Sequence, residues 1–167
     1  QGIYHLKTAV GAYEDQWYDH VPMYGSDPWG GDATPIDFTG TSITGIDFDL
    51  RQGVLLSGRS ANVAGEPVLA LIWAVDGDGT FVNVSGTAPD GNWVMGVPKN
   101  GTYNLYTANI EGYQDEWYGG DLKLDANQDE AADVIVGTSD VPGVDFELAL
   151  PQPQGFQAID HPDDNKI

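Results

Sequence analysis

Gly143-Val144-Asp145-Phe146-Glu147-Leu148 alternates without a break. Successive side chains of an extended chain point to opposite sides. Val144, Phe146 and Leu148 therefore share one face, and Asp145 and Glu147 the other. The period is two, which predicts a strand with one dry and one wet face. The pattern has a twin: Val141-Pro142-Gly143-Val144-Asp145-Phe146-Glu147-Leu148 matches Ile43-Thr44-Gly45-Ile46-Asp47-Phe48-Asp49-Leu50. Upstream of each copy the match continues. Gly101-Thr102-Tyr103-Asn104-Leu105-Tyr106-Thr107-Ala108 pairs with Gly2-Ile3-Tyr4-His5-Leu6-Lys7-Thr8-Ala9, and Tyr113-Gln114-Asp115-Glu116-Trp117-Tyr118 pairs with Tyr13-Glu14-Asp15-Gln16-Trp17-Tyr18. Matches that keep their order along the chain make an internal repeat.

The repeat is unequal. Residues 51–150 carry a complete unit, residues 1–50 correspond only to the second half of one, and residues 151–167 form a polar, Pro-rich tail that opens with Pro151-Gln152-Pro153. The first residue is Gln1, which predicts a processed or trimmed piece. A half unit of a sandwich exposes strand edges and one apolar face, and both seek a partner.

Inside the complete unit the same period recurs. Val68-Leu69-Ala70-Leu71-Ile72-Trp73-Ala74-Val75 reads as a buried strand entered from the turn Gly65-Glu66-Pro67. Asp76-Gly77-Asp78-Gly79, Asp90-Gly91 and Asn100-Gly101 read as hairpin turns between it, Phe81–Ser85, Trp93–Met95 and Tyr103–Tyr106. Ala132–Val136 and Gly143–Leu148 supply the last strands. No segment carries a convincing helical period. Short strands joined by turn residues predict an all-β sandwich.

Composition agrees. The chain has 167 residues, 22 of them Gly and 10 Pro, with eight Tyr, five Trp and no Cys. Six basic residues face 26 acidic ones, a formal charge of −20. That balance argues against nucleic acid and anionic membrane surfaces, which need clustered Lys and Arg. It suits a salty medium, where self-repulsion is screened, or calcium, which carboxylates bind. No stretch is apolar for long enough to span a membrane as a helix.

Gly53-Val54, Gly65-Glu66-Pro67-Val68-Leu69-Ala70, Asp90-Gly91-Asn92-Trp93, Gly101-Thr102-Tyr103-Asn104-Leu105 and the closing Gly143–Leu148 together resemble the carboxypeptidase regulatory-like family. The stretch Gly112–Tyr118 resembles a subgroup found in tandem in bacterial secreted proteins. The resemblance covers residues 51–150 in full and 1–50 in half. It implies a tandem immunoglobulin-like or transthyretin-like β-sandwich, one full unit plus a half unit, serving as an accessory or stalk module without catalysis.

Three kinds of site are open. For calcium, Asp125, Asn127 and Asp129 place oxygens at alternate positions, with Asp121 and Asp133 nearby; Asp19, Asp27 and Asp32 occupy the corresponding loop of the first repeat, and Asp76-Gly77-Asp78 is a further candidate. For a polysaccharide, Trp29 lies in a loop without strand periodicity, and the pairs Trp17-Tyr18 and Trp117-Tyr118 stand beside Gln16 and Asp115. One member of each Trp-Tyr pair is expected in the core and the other outside, because neighbours on a strand face opposite ways. The third kind is the half unit itself, which could pair strands with neighbouring repeats or with copies of the chain. No catalytic motif stands out. The expectation is a secreted or cell-surface, non-catalytic structural or adhesive repeat module, ordered by calcium. The alternative is a carbohydrate-binding accessory module of a polysaccharide-degrading enzyme.

Overall fold

Apolar residues at every second position make strands, and two such sets facing each other make a core. In this protein, known from a computed structural model, the description covers residues 2–9, 13–26, 31, 33–40, 42–119 and 128–151. Its strands, in chain order, are β1 (Gly2–Tyr4), β2 (Gln16–Trp17), β3 (Val21–Pro22), β4 (Ile36–Phe38), β5 (Val54–Asn62), β6 (Ala70–Asp76), β7 (Phe81–Gly86), β8 (Asn92–Val97), β9 (Thr102–Asn109), β10 (Val134–Ile135) and β11 (Phe146–Leu148). The described helical content is one short 3-10 turn, Gln128–Glu130. The protein is all-β, as its periodicity predicts.

Residues 51–150 form two sheets. One has the order β10-β9-β6-β7 and the other β11-β5-β8. Between them lie Leu56, Ile72, Trp93, Leu105, Phe146 and Leu148, all buried. Each fully buried aliphatic side chain of this kind contributes about 1.5–3 kcal/mol. The end of the strand read at Gly143–Leu148 is β11, which pairs with β5 in parallel, Phe146 opposite Ser60 and Leu148 opposite Asn62. Gly58 makes that approach feasible, because a side-chain carbon there would overlap the Val144 carbonyl oxygen.

Two turns differ from the hairpins expected of them. Asp76–Gly79 does close an antiparallel pair, β6 with β7. Asp90-Gly91 and Asn100-Gly101 instead carry the chain from one sheet to the other, since β7 and β9 lie in the four-stranded sheet and β8 in the three-stranded one. Both turns use left-handed backbone, at Gly91 (φ 82°) and Asn100 (φ 59°). The local turn chemistry is the expected kind, but a sandwich must also deliver strands to its second layer. Where β7 and β8 run side by side without pairing, side chains bridge them. The Asn83 amide donates to the Gly96 carbonyl (2.9 Å) and the Ser85 hydroxyl to the Val94 carbonyl (2.7 Å).

Trp93 belongs to the inter-sheet core. Trp73, on an equally apolar strand, does not. It lies half-buried in a row of aromatic rings, with Tyr106 stacked at 5.9 Å and Phe81 edge-on at 5.7 Å.

Residues 2–50 form two small antiparallel sheets, β1 with β4 and β2 with β3. They have a separate small core of Trp17, Met23 and Ala33, against which Val21 and Phe81 pack. Phe81 thus belongs to the sandwich and to this second cluster at once. Hydrogen bonds reinforce the junction, from the Gly25 N–H to the Phe81 carbonyl (2.7 Å) and from the Tyr24 hydroxyl to Asp76 (2.7 Å).

Candidate interaction surface

The sequence correspondence extends to individual hydrogen bonds. In the sandwich, the Thr107 hydroxyl donates to Asp115 (3.3 Å) and accepts from the Glu116 N–H (3.0 Å). In residues 2–50, the Thr8 hydroxyl donates to Asp15 (3.0 Å) and accepts from the Gln16 N–H (3.0 Å). The backbone follows suit, with Tyr118 N–H bonded to the Leu105 carbonyl (2.7 Å) and Tyr18 N–H to that of Leu6 (2.8 Å). Tyr103 stands opposite Val134, and Tyr4 opposite Ile36. Tyr118 meets Phe146 edge-on at 5.8 Å, and Tyr18 meets Phe48 edge-on at 6.1 Å. Gly143 and Gly45 share a φ of 78°. The exchange of Tyr106 for Lys7 keeps the contact but alters its chemistry. The Tyr106 ring lies 4.8 Å from Trp117, whereas the Lys7 ammonium lies 5.7 Å from the Trp17 ring, a cation–π contact.

What differs is cover. Tyr103 is 3% exposed and its counterpart Tyr4 50%; Leu105 is fully buried and its counterpart Leu6 40% exposed. Phe38 and Ile43 are exposed as well. Residues 43–50 are extended, with Ile46, Phe48 and Leu50 half-buried and Asp47 and Asp49 exposed between them. This is the alternation of β11, whose apolar members Phe146 and Leu148 are buried in the core between the two sheets. Residues 43–50 have no strand partner and no backbone hydrogen bond among the described residues. The outcome is an apolar face, flanked by strand-like backbone, on a segment whose sandwich counterpart is covered.

The residues singled out for a polysaccharide are spread over distinct environments. Trp17 and Trp117 are buried, which leaves little ring surface for a sugar. Tyr18 and Tyr118 are half-buried against Phe48 and Phe146. Both members of each pair are therefore packed, where one outward-facing ring was expected. Strand alternation does send Trp117 to the outer side of its sheet, but the Tyr106 ring covers it there. Asp115 receives the Asn109 N–H (2.8 Å) and the Asn109 side-chain amide (2.6 Å), so it closes the loop after β9. Gln16 is buried, and its amide nitrogen has no partner among the described residues. Trp29 lies outside the described residues.

Of the calcium candidates, Asp27, Asp32, Asp121, Asp125 and Asn127 also lie outside them. Asp129 and Asp133 are exposed, and Asp133 accepts from the Asn104 amide (3.0 Å). Asp19 is exposed in left-handed backbone (φ 67°) and accepts from the Thr34 hydroxyl (3.3 Å). Among the described residues no group of three or more acidic or His side chains is arranged to hold a metal ion. Asp76 serves its own turn, receiving the N–H groups of Asp78 and Thr80 (both 2.9 Å) and the Tyr24 hydroxyl. Desolvation pushes its pKa up, but these hydrogen bonds to the charged form outweigh it and hold the carboxyl below its ordinary value. Tyr24 shifts the opposite way, upward, because its hydroxyl donates to that carboxylate. Burial, aided by the neighbouring Tyr24, Glu14 and Asp76, pushes the Tyr103 phenol up to about 12.

Sequence reasoning missed one feature. A cleft of about 280 Å³ opens between residues 2–50 and the sandwich, lined by Glu14, Asp15, Tyr24, Asp49, Arg51 and Asn83 among others. No motif announces it, because it is formed by residues far apart in the chain.

No protein-family model matches the chain, and no curated protein matches it. Among the described residues, no helix is long and apolar enough to cross a membrane.

Proposed function

We propose that this chain is a non-catalytic structural module of a secreted or cell-surface protein, with residues 2–50 acting as the second half of a sandwich unit through which the module assembles. The observation that carries this reading is the duplicated Thr–Asp–backbone network. Thr8 with Asp15 and Thr107 with Asp115 each tie one stretch of chain to the stretch that returns along it, so the repeated polar residues have a role in holding the fold. The repeated aromatics are packed rather than presented. A strongly acidic, Cys-free surface is compatible with an extracellular setting. Calcium would order the Asp-rich loops around residues 19–32 and 119–131 by neutralising carboxylates that otherwise repel one another.

A carbohydrate-binding accessory module is the second reading, and the cleft favours it. Its carboxylates and the Arg51 guanidinium are groups that hydrogen-bond sugar hydroxyls, and its volume approaches the lower end of ligand pockets. Retention of the purified chain on immobilised polysaccharides, first with calcium and then with chelator, separates the two. A structural module passes through every column. Retention by one glycan class, lost in Asp49→Ala or Trp29→Ala with the fold intact, replaces the structural reading with the carbohydrate one. Calcium has its own measurement: a melting temperature unchanged by chelator removes it, since a ligand of the native state must raise that temperature.

A further inference from the structure

We infer that the open face of residues 2–50 takes up a strand with the chemistry of β5, running parallel to residues 43–50, from a first-half sandwich unit outside the described fold. This rests on the reading of residues 2–50 as half a unit, and it names the partner.

The sandwich supplies the template. There, the segment corresponding to residues 43–50 receives β5 through alternating backbone bonds. The Val141 N–H donates to the Leu55 carbonyl (2.8 Å), the Ser57 N–H to the Val141 carbonyl (3.2 Å) and the Val144 N–H to the Ser57 carbonyl (3.1 Å). The Asp145 carboxylate adds a bond, accepting the Arg59 N–H (2.8 Å). Residues 43–50 hold the matching groups in waiting. Ile43 and Ile46 stand at the positions of Val141 and Val144, and Asp47 stands at that of Asp145, exposed. Gly45 already has the left-handed φ of Gly143, so the backbone needs no remodelling at that point.

The template also states which strand fits. Leu56 turns its apolar side chain into the core, and Gly58 passes the Val144 carbonyl where any side chain would overlap it. An occupant therefore needs alternating apolar residues and a glycine at the point of closest approach, opposite Ile46. The protein's own β5 meets that description but is already buried between β8 and β11. A second copy of the chain could offer its β5 only by dismantling its own sandwich. The occupant is therefore a β5-like strand of another first-half unit, added by backbone pairing with side-chain selection.

A synthetic peptide of residues 54–62, labelled with a fluorophore, is titrated with the intact chain. The expected result is saturable binding that slows amide hydrogen exchange at Ile43 and Ile46, the counterparts of the bonded Val141 and Val144. A peptide carrying Gly58→Val should bind about tenfold more weakly or worse, because overpacking a close contact costs that much. The substitution sits in the peptide, so the fold of the protein is untouched. Absence of binding, equal binding of the Gly58→Val peptide, or exchange protection elsewhere would overturn the inference. So would concentration-dependent dimerisation of the chain alone with protection at Ile43 and Ile46, which would make a second copy the occupant. Glycan retention alongside specific peptide binding would defeat only the structural reading. An inert face on a chain retained by no glycan would defeat only the strand partner.

Discussion

Leu6 and Leu105 occupy matching places in the repeated sequence, each with its carbonyl bonded to the N–H of a tyrosine, yet one is exposed and the other enclosed. The same holds for Tyr4 against Tyr103 and for residues 43–50 against residues 141–148. The two regions share their local hydrogen bonds and differ in what lies across from them. Local chemistry is thus enough to shape the hairpin-like return of the chain, the left-handed glycine and the Tyr–Phe contact. It does not supply the hydrophobic stabilisation, which depends on a second layer.

The comparison predicts unequal costs for equal substitutions. Leu105→Ala should lose about 2–5 kcal/mol of unfolding free energy in urea titration, the usual range for a buried leucine. Leu6→Ala should cost well below that, under about 1 kcal/mol, because its side chain is already 40% exposed. Similar costs would mean that the face of residues 2–50 is covered in solution. Gly58→Ala comes next, at about 3 kcal/mol, since the new carbon overlaps the Val144 carbonyl and separates β5 from β11. Hydrogen exchange should show β11 amides losing protection first.

Asp115→Ala should cost about 2 kcal/mol, because it strands the Asn109 N–H and the Thr107 hydroxyl of a charged hydrogen-bond set. Asp15→Ala is the sharper probe. It removes the counterpart bond to Thr8 and also the bond from the Asn83 amide (3.3 Å), which links residues 2–50 to the sandwich. It should loosen the junction, with faster proteolysis of residues 2–50, while the sandwich melts nearly unchanged.

The smallest effects are pH-dependent. The Tyr103 phenol has a folded pKa of about 12 against an ordinary 10.0. Folding therefore favours its neutral form, so its contribution is full below pH 10 and is lost as pH rises from 10 towards 12. Alkaline melting should lose stability in that window, and Tyr103→Phe should flatten the loss. Asp76 has the opposite sign. Its folded pKa is depressed, so its contribution is present above the ordinary value of 3.8 and is lost as pH falls below it. Tyr24→Phe should move the Asp76 pKa upward in an NMR titration and leave global stability almost unaltered, because the pair is exposed.

Much of this was readable in advance, for a physical reason. Strand periodicity and turn chemistry are local properties, so β6 to β11 stand close to where alternation and Gly-Asp-Asn clusters put them, whereas β5, the long strand Val54–Asn62, was not read from the sequence. The sequence correspondence was legible because matched residues recur in the same order, and in the structure those residues carry matched bonds. The candidate site was less so. Alternation assigns Trp117 to a face but does not say that Tyr106 covers that face, and the cleft joins Glu14 to Asn83 across many intervening residues.

The sequence by itself determined the all-β class, the strands from β6 onward, the turn residues and the correspondence between residues 2–50 and 101–150, because each follows from the order and spacing of residues along the chain. Only the tertiary structure decided that Asp90-Gly91 and Asn100-Gly101 cross between sheets, that Trp73 sits outside the core, and that Phe81 serves two clusters. It also decided that Leu6 is left uncovered where Leu105 is not. Those outcomes depend on which distant strands come to face each other, and no local pattern encodes its own partner.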